Sequence, residues 1–199
     1  MSEPTMNASD REAAWELLCE WTASDSLRKH ALAVAASMRA YARSWGEDEE
    51  RYAITGLLHD LDYERHPDAA TGHPRKAIEE LRRRDYPKDV IEAVAGHADY
   101  LGVPRESRLA RTLYAVDELS GFVMACALVR PTGIEGMKVK SVRKKLKQPS
   151  FAAKVDREQI ARGIEELGVD EGEHIGVIID ALAADADELG LTAAQVESG

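Results

Sequence analysis

The sequence predicts an all-α protein. Apolar residues recur at spacings of three and four almost throughout, strand-type alternation is hard to find, and Gly or Pro punctuates the periodic segments. Residues 1–9 read as a flexible end. In residues 10–21, Ala14, Leu17, Leu18 and Trp21 share one face. Asp25 or Ser26 can cap a second helix that runs to Trp45, striped by Leu27, Ala31, Val34, Met38 and Tyr41 and ended by Gly46. Residues 47–61 begin acidic, as the helix dipole prefers, and offer Tyr52, Leu57, Leu58 and Leu61 for burial. A loop covers 63–72. Pro74 suits a first helical position, which puts His73 near the cap of a helix carrying Ala77, Ile78 and Leu81. Pro87 does the same for Val90, Ile91, Val94 and Ala98. A long helix over 105–129 turns Leu109, Leu113, Val116, Ser120 and Val123 inward before Pro131 and Gly133 break it. Asp156 with Gln159 resembles a capping box for a helix to Leu167, and a last helix spans 170–189 before a tail at 191–199. No repeat or Pro-rich linker divides these pieces. We therefore expect one helical core over 10–130 with a C-terminal helical extension, 131–190, packed on it.

The 199 residues, 44% hydrophobic and 31% charged, have the make-up of a soluble globular chain. No apolar run approaches the ~20 residues that span a bilayer. The start carries no basic segment followed by an apolar stretch, so neither a membrane span nor a signal peptide is predicted, and a cytoplasmic location follows. Cys19 and Cys126 form no CxxC pair, which argues against a disulfide framework or a zinc ribbon. A net charge of −10 opposes general attraction to nucleic acid or anionic membranes. A homo-oligomer is compatible with all of this. The stretch 138–147, KVKSVRKKLK, is locally basic. Such runs are most often solvated helix faces, but Lys138, Lys140, Arg143 and Lys144 are also candidates to bind substrate phosphate.

Five of the six histidines, His30, His59, His66, His73 and His97, fall in the first half of the chain. The adjacent pair His59 and Asp60 follows Ile54, Leu57 and Leu58 where a helix should enter the core. Two polar side chains there would cost several kcal/mol if unpaired. Asp117, within LYAVDELSGF, poses the same problem, and His30 shares a helix face with Leu27 and Val34. Imidazoles and carboxylates gathered from several helices are what a divalent first-row metal requires. His73 and His97 would add ligands for a second ion, with Asp60 bridging the two. A bridged pair of ions can deprotonate a water while polarising a phosphoryl oxygen. A lone buried histidine is more often a hydrogen-bonded core residue, but the joint pattern favours metal. His66 and His174 read as loop and structural residues, Asp62 and Glu118 as neighbours able to orient ligands, and Arg28 and Lys29 as surface charge.

His30, then LLHDLDY, then AVDEL resembles the H…HD…D signature of the HD-domain superfamily, all-helical metal-dependent enzymes that are mostly phosphohydrolases; the likeness covers residues 27–121. GHPRKAIEEL and GHADY look like the additional histidines of its dinuclear branch, as in the HDIG and HD-GYP groups. On that likeness His30, His59, Asp60 and Asp117 hold a first divalent ion (Mn, Fe, Co, Ni or Mg) and His73 and His97 complete a second. Asp60, His59 and His97 would then be the catalytic residues, acting on a small phosphorylated substrate, nucleotides included. Many dinuclear members have HD-x-Gly-Lys, whereas this chain has His59-Asp60-Leu61-Asp62-Tyr63, so another base must meet the phosphate or the substrate differs. The resemblance also covers a di-iron oxygenase, ranked below hydrolysis, and the basic stretch adds a third, lower-ranked reading, a non-catalytic nucleotide-sensing module.

Overall fold

The computed structural model describes residues 6 and 8–198, and helices are the sole regular elements among them. They are α1 (Ala8–Trp21), α2 (Asp25–Trp45), α3 (Glu49–Leu58), α4 (Arg75–Arg83), α5 (Lys88–Gly96), α6 (Arg108–Leu128), α7 (Val139–Leu146), α8 (Arg157–Leu167), α9 (Glu171–Ala184), α10 (Ala186–Leu189) and α11 (Ala193–Glu197). None is long and apolar enough to cross a membrane. Most of the expected flexible end, 1–9, lies outside the described residues, and α1 begins at Ala8. In the stretch expected as a tail, Leu191 is buried and α11 carries a capping box from Thr192 to Gln195.

Capping chemistry sets the boundaries and corrects several expectations. Ser24, rather than Asp25 or Ser26, caps α2, its side chain accepting from the Leu27 N–H. Gly46 closes α2 at φ 69°, a left-handed turn that glycine enters without a Cβ penalty. Asp48 caps α3, which stops at Leu58 instead of reaching Leu61. The chain from His59 onward continues as successive turns. The expected last helix breaks at Asp185, whose φ and ψ of −109° and 24° leave the helical region, giving α9 and α10. Asp156 caps α8, accepting from the Glu158 and Gln159 N–H groups, but its own N–H goes to Glu118 Oε2 rather than to Gln159, so the expected capping box is half formed.

Two apolar cores meet across α2. One surrounds α6, with Val34, Met38, Leu113, Leu119, Phe122 and Ile178. The other joins α1, α3, α4 and α5 through Leu18, Ile54, Leu58, Leu81 and Val94. Close helix approach is bought with glycine at two points. A Cβ on Gly56 would lie 2.7 Å from Ala35 Cα, so α3 seats directly on α2, and one on Gly163 would lie 2.7 Å from Ala115 Cα, where α8 meets α6. The first contact puts the end of α3, and with it His59, beside α2.

Candidate metal centre

Five separate elements bring the six predicted residues together. His30 comes from α2, Asp117 from α6, His59 and Asp60 from the end of α3, His73 from just before α4, and His97 from the end of α5. His30, His59 and Asp60 offer ligand atoms all within 4.8 Å of one another, and Asp60, His73 and His97 do the same. Asp117 belongs with the first group, its Oδ1 lying 3.1 Å from His30 Nε2 and 3.3 Å from His59 Nε2. The two oxygens of Asp60 divide between the groups. Oδ2 is 3.5 Å from His59 Nε2, and Oδ1 is 3.5 Å from both His73 Nε2 and His97 Nε2.

The tautomers are fixed from outside the cluster. His59 Nδ1–H donates to Gly56 O at 2.8 Å, His97 Nδ1–H to Val94 O at 2.5 Å, and His73 Nδ1–H to Asp62 Oδ1 at 2.8 Å. Each ring therefore turns its Nε2 inward. Outer hydrogen bonds of this kind orient metal-binding histidines. His59 Nε2 is buried without a hydrogen-bond partner. His73 Nε2 and His97 Nε2 lie 3.3 Å apart, and both face Asp60 Oδ1 at 3.5 Å. This donor set fits divalent metal ions.

Charge points the same way. Burial opposes a charge on His59, but Asp60 and Asp117 outweigh it and push the imidazole up to about 10. Burial likewise raises the carboxyls of Asp60 and Asp117, yet the facing His59 holds both below their usual range. The carboxylates thus demand positive charge in the space they enclose. Glu118, next along α6, is pushed up to about 7 by burial and by the Asp117 charge. Asp62 is fully buried and spans two tasks: Oδ1 accepts the His73 Nδ1–H bond, and Oδ2 accepts the Ala77 N–H at 2.9 Å, fixing the start of α4.

Residues 27–121 match the family model of the HD domain. This segment is an HD domain. Over 168 residues, 82% of its length, the chain is also 29% identical to Ribonuclease Y from Oleidesulfovibrio alaskensis. The chain spans 29% of that protein's length. No solved structure matches. HD domains bind divalent metals and belong to a superfamily of metal-dependent phosphohydrolases, and here the HD domain contains every residue of the histidine and aspartate cluster.

A cleft of about 610 Å³ opens onto the HD cluster. The basic stretch lies elsewhere: none of Lys138, Lys140, Arg143 or Lys144 lines this cleft, and Arg143 pairs with Glu171 at 2.7 Å. Val142 is buried on α7, which packs on α9, and this docking carries the basic residues away from the HD residues. Lys154, on the loop between α7 and α8, lines the cleft instead, beside Asp156 and Gln159. Tyr63 and Tyr100 line it too. The sequence held no local signal for Lys154, which reaches the HD residues only through tertiary packing, whereas Tyr63 and Tyr100 stand inside the HDLDY and GHADY motifs. His66 contacts Trp21 edge-on, 6.3 Å between ring centroids, outside the cleft. Arg28 binds the Thr22 and Cys19 carbonyls at the end of α1, and Lys29 pairs with Asp25, so both serve the surface. His174, with Tyr41 and Ala115 O as partners, is a buried structural residue.

Proposed function

We propose that the chain hydrolyses a small phosphate ester, nucleotides among the candidates. His30, His59, Asp60 and Asp117 would hold one divalent ion, and Asp60, His73 and His97 a second. The observation that carries this reading is the Asp60 carboxylate, whose oxygens face separate imidazole groups, one of them containing the unpartnered His59 Nε2. When bound, such ions polarise a phosphoryl oxygen and lower the pKa of a coordinated water. The protein's own part is to hold the ligands rigid. The Gly56 and Val94 carbonyls and the Asp62 carboxylate lock three rings, so little reorganisation is needed as substrate enters. Lys154, which lines the same cleft, would supply a positive charge to the phosphate oxygens.

Release of inorganic phosphate from a panel of nucleotides and simple esters, with Mn, Co, Ni or Mg added, tests the reading. His59→Ala and Asp60→Ala should each cost more than about 100-fold in rate, since even an outer partner of a metal ligand is worth ~10–100-fold. Turnover unaffected by both substitutions would remove the mechanism. The name of the ribonuclease relative supports adding phosphodiesters to the panel.

A further inference from the structure

The large exposed apolar side chains among the described residues are Leu128 and Val129, adjacent at the end of α6, and two tyrosines, Tyr63 and Tyr100. The tyrosines are distant in sequence, yet both line the cleft over the HD cluster. Tyr63 is 43% exposed and Tyr100 51%. Both are anchored through the same residue. Tyr63 packs edge-on to the His73 ring, 5.3 Å between centroids at 90°, and the Tyr100 hydroxyl donates to His73 O at 2.8 Å. Aromatic rings held in place at a cleft mouth offer faces on which another planar ring can stack.

Charge narrows the occupant further. Lys154 is the one lysine or arginine among the described residues lining the cleft. Asp99 is already engaged by Arg105 at 3.0 Å and Arg162 at 2.9 Å, whereas Glu118 and Asp156 lie on the same side as Lys154. A ligand extending several negative charges beyond the metal residues meets carboxylates there. One that extends an uncharged ring meets tyrosines. We infer that the cleft selects phosphate esters carrying a planar ring such as a nucleobase, with Tyr63 and Tyr100 gripping the ring and Lys154 contacting a single phosphate. The inference rests on the hydrolase reading for the position of the phosphate over the metal centre. A cleft of about 610 Å³ accommodates a ligand of this size.

The test uses the full chain loaded with Mn²⁺ and two ligands that cannot be hydrolysed, the methylenephosphonate analogues of AMP and of ribose 5-phosphate, which differ only in the base. Calorimetric titration should show the AMP analogue binding about tenfold tighter, the scale of one base stacked on an aromatic ring. Tyr63→Leu and Tyr100→Leu should bring the affinity ratio toward one, and Tyr63→Phe should preserve it. Lys154→Met should weaken both analogues alike and leave the ratio intact. The ratio is internally controlled, so a partial loss of folded protein does not mimic the result. Equal affinity for the two analogues, or an unchanged ratio in Tyr63→Leu, overturns the inference. Phosphate release from AMP, measured separately, distinguishes the two failures. Release without base preference keeps the hydrolase reading and overturns the ring clamp. Base-selective, tyrosine-dependent binding with no release from any ester supports the clamp and overturns the hydrolase.

Discussion

His59 and His174 are both 0% exposed, yet their surroundings differ. At the junction of α2, α6 and α9, His174 Nε2–H donates to Ala115 O at 3.0 Å and Nδ1 accepts from the Tyr41 hydroxyl at 2.5 Å, so both nitrogens are satisfied. In the HD centre, His59 donates to Gly56 O and its other nitrogen has no hydrogen-bond partner. Burial lowers the His174 pKa, as expected of a neutral core imidazole, whereas the carboxylates around His59 raise its pKa. Burial alone therefore does not distinguish a core histidine from one placed to bind a metal; what the second nitrogen faces does.

Reciprocal substitutions should break the comparison most visibly. His174→Ala leaves a cavity and strands the buried Tyr41 hydroxyl, and should cost about 3 kcal/mol in denaturant unfolding while phosphate release per folded molecule is retained. His59→Ala should do the opposite, abolishing metal-dependent turnover. A second difference lies in metal linkage. Saturating Mn²⁺ at ~100 times its dissociation constant should stabilise the wild-type chain by about 2.7 kcal/mol, and His174→Ala by the same increment. Asp60→Asn should show no such gain, as read by melting with and without EDTA.

These residues were legible in the sequence to different degrees. The pair His59 and Asp60 stood out because polar neighbours follow Ile54, Leu57 and Leu58, and Asp117 because it interrupts an apolar helix. The helical class was equally plain from apolar spacing. The end of α3 at Leu58 was not, since Leu61 continues the apolar pattern and is itself fully buried although the helix has ended. Lys154 was invisible because the α7–α8 loop meets the HD residues only in three dimensions. The stretch 138–147 misled for the converse reason: its charge is local, and its position is set by the burial of Val142.

Asp62→Asn gives a smaller test. It leaves one amide oxygen for two donors, His73 Nδ1–H and Ala77 N–H, and should weaken metal binding by roughly 10–100-fold with the helical content unchanged. The smallest effect is in pH dependence. The His174 pKa is lowered by burial in the folded chain, so below its ordinary value of 6.5 the unfolded state takes up the proton first. This residue's contribution is complete above that pH and declines on acidification toward the folded-state value. His174→Gln should flatten this part of the stability profile between melts at about pH 7.5 and about pH 5.5, one unit either side of the ordinary histidine value.

The most direct measurement is the metal content and position in crystals grown with Mn²⁺, read by elemental analysis and anomalous scattering. The account predicts two ions per chain, one on either side of the Asp60 carboxylate, and loss of both in Asp60→Asn. Ions bound away from Asp60, or full occupancy retained in Asp60→Asn, would contradict it.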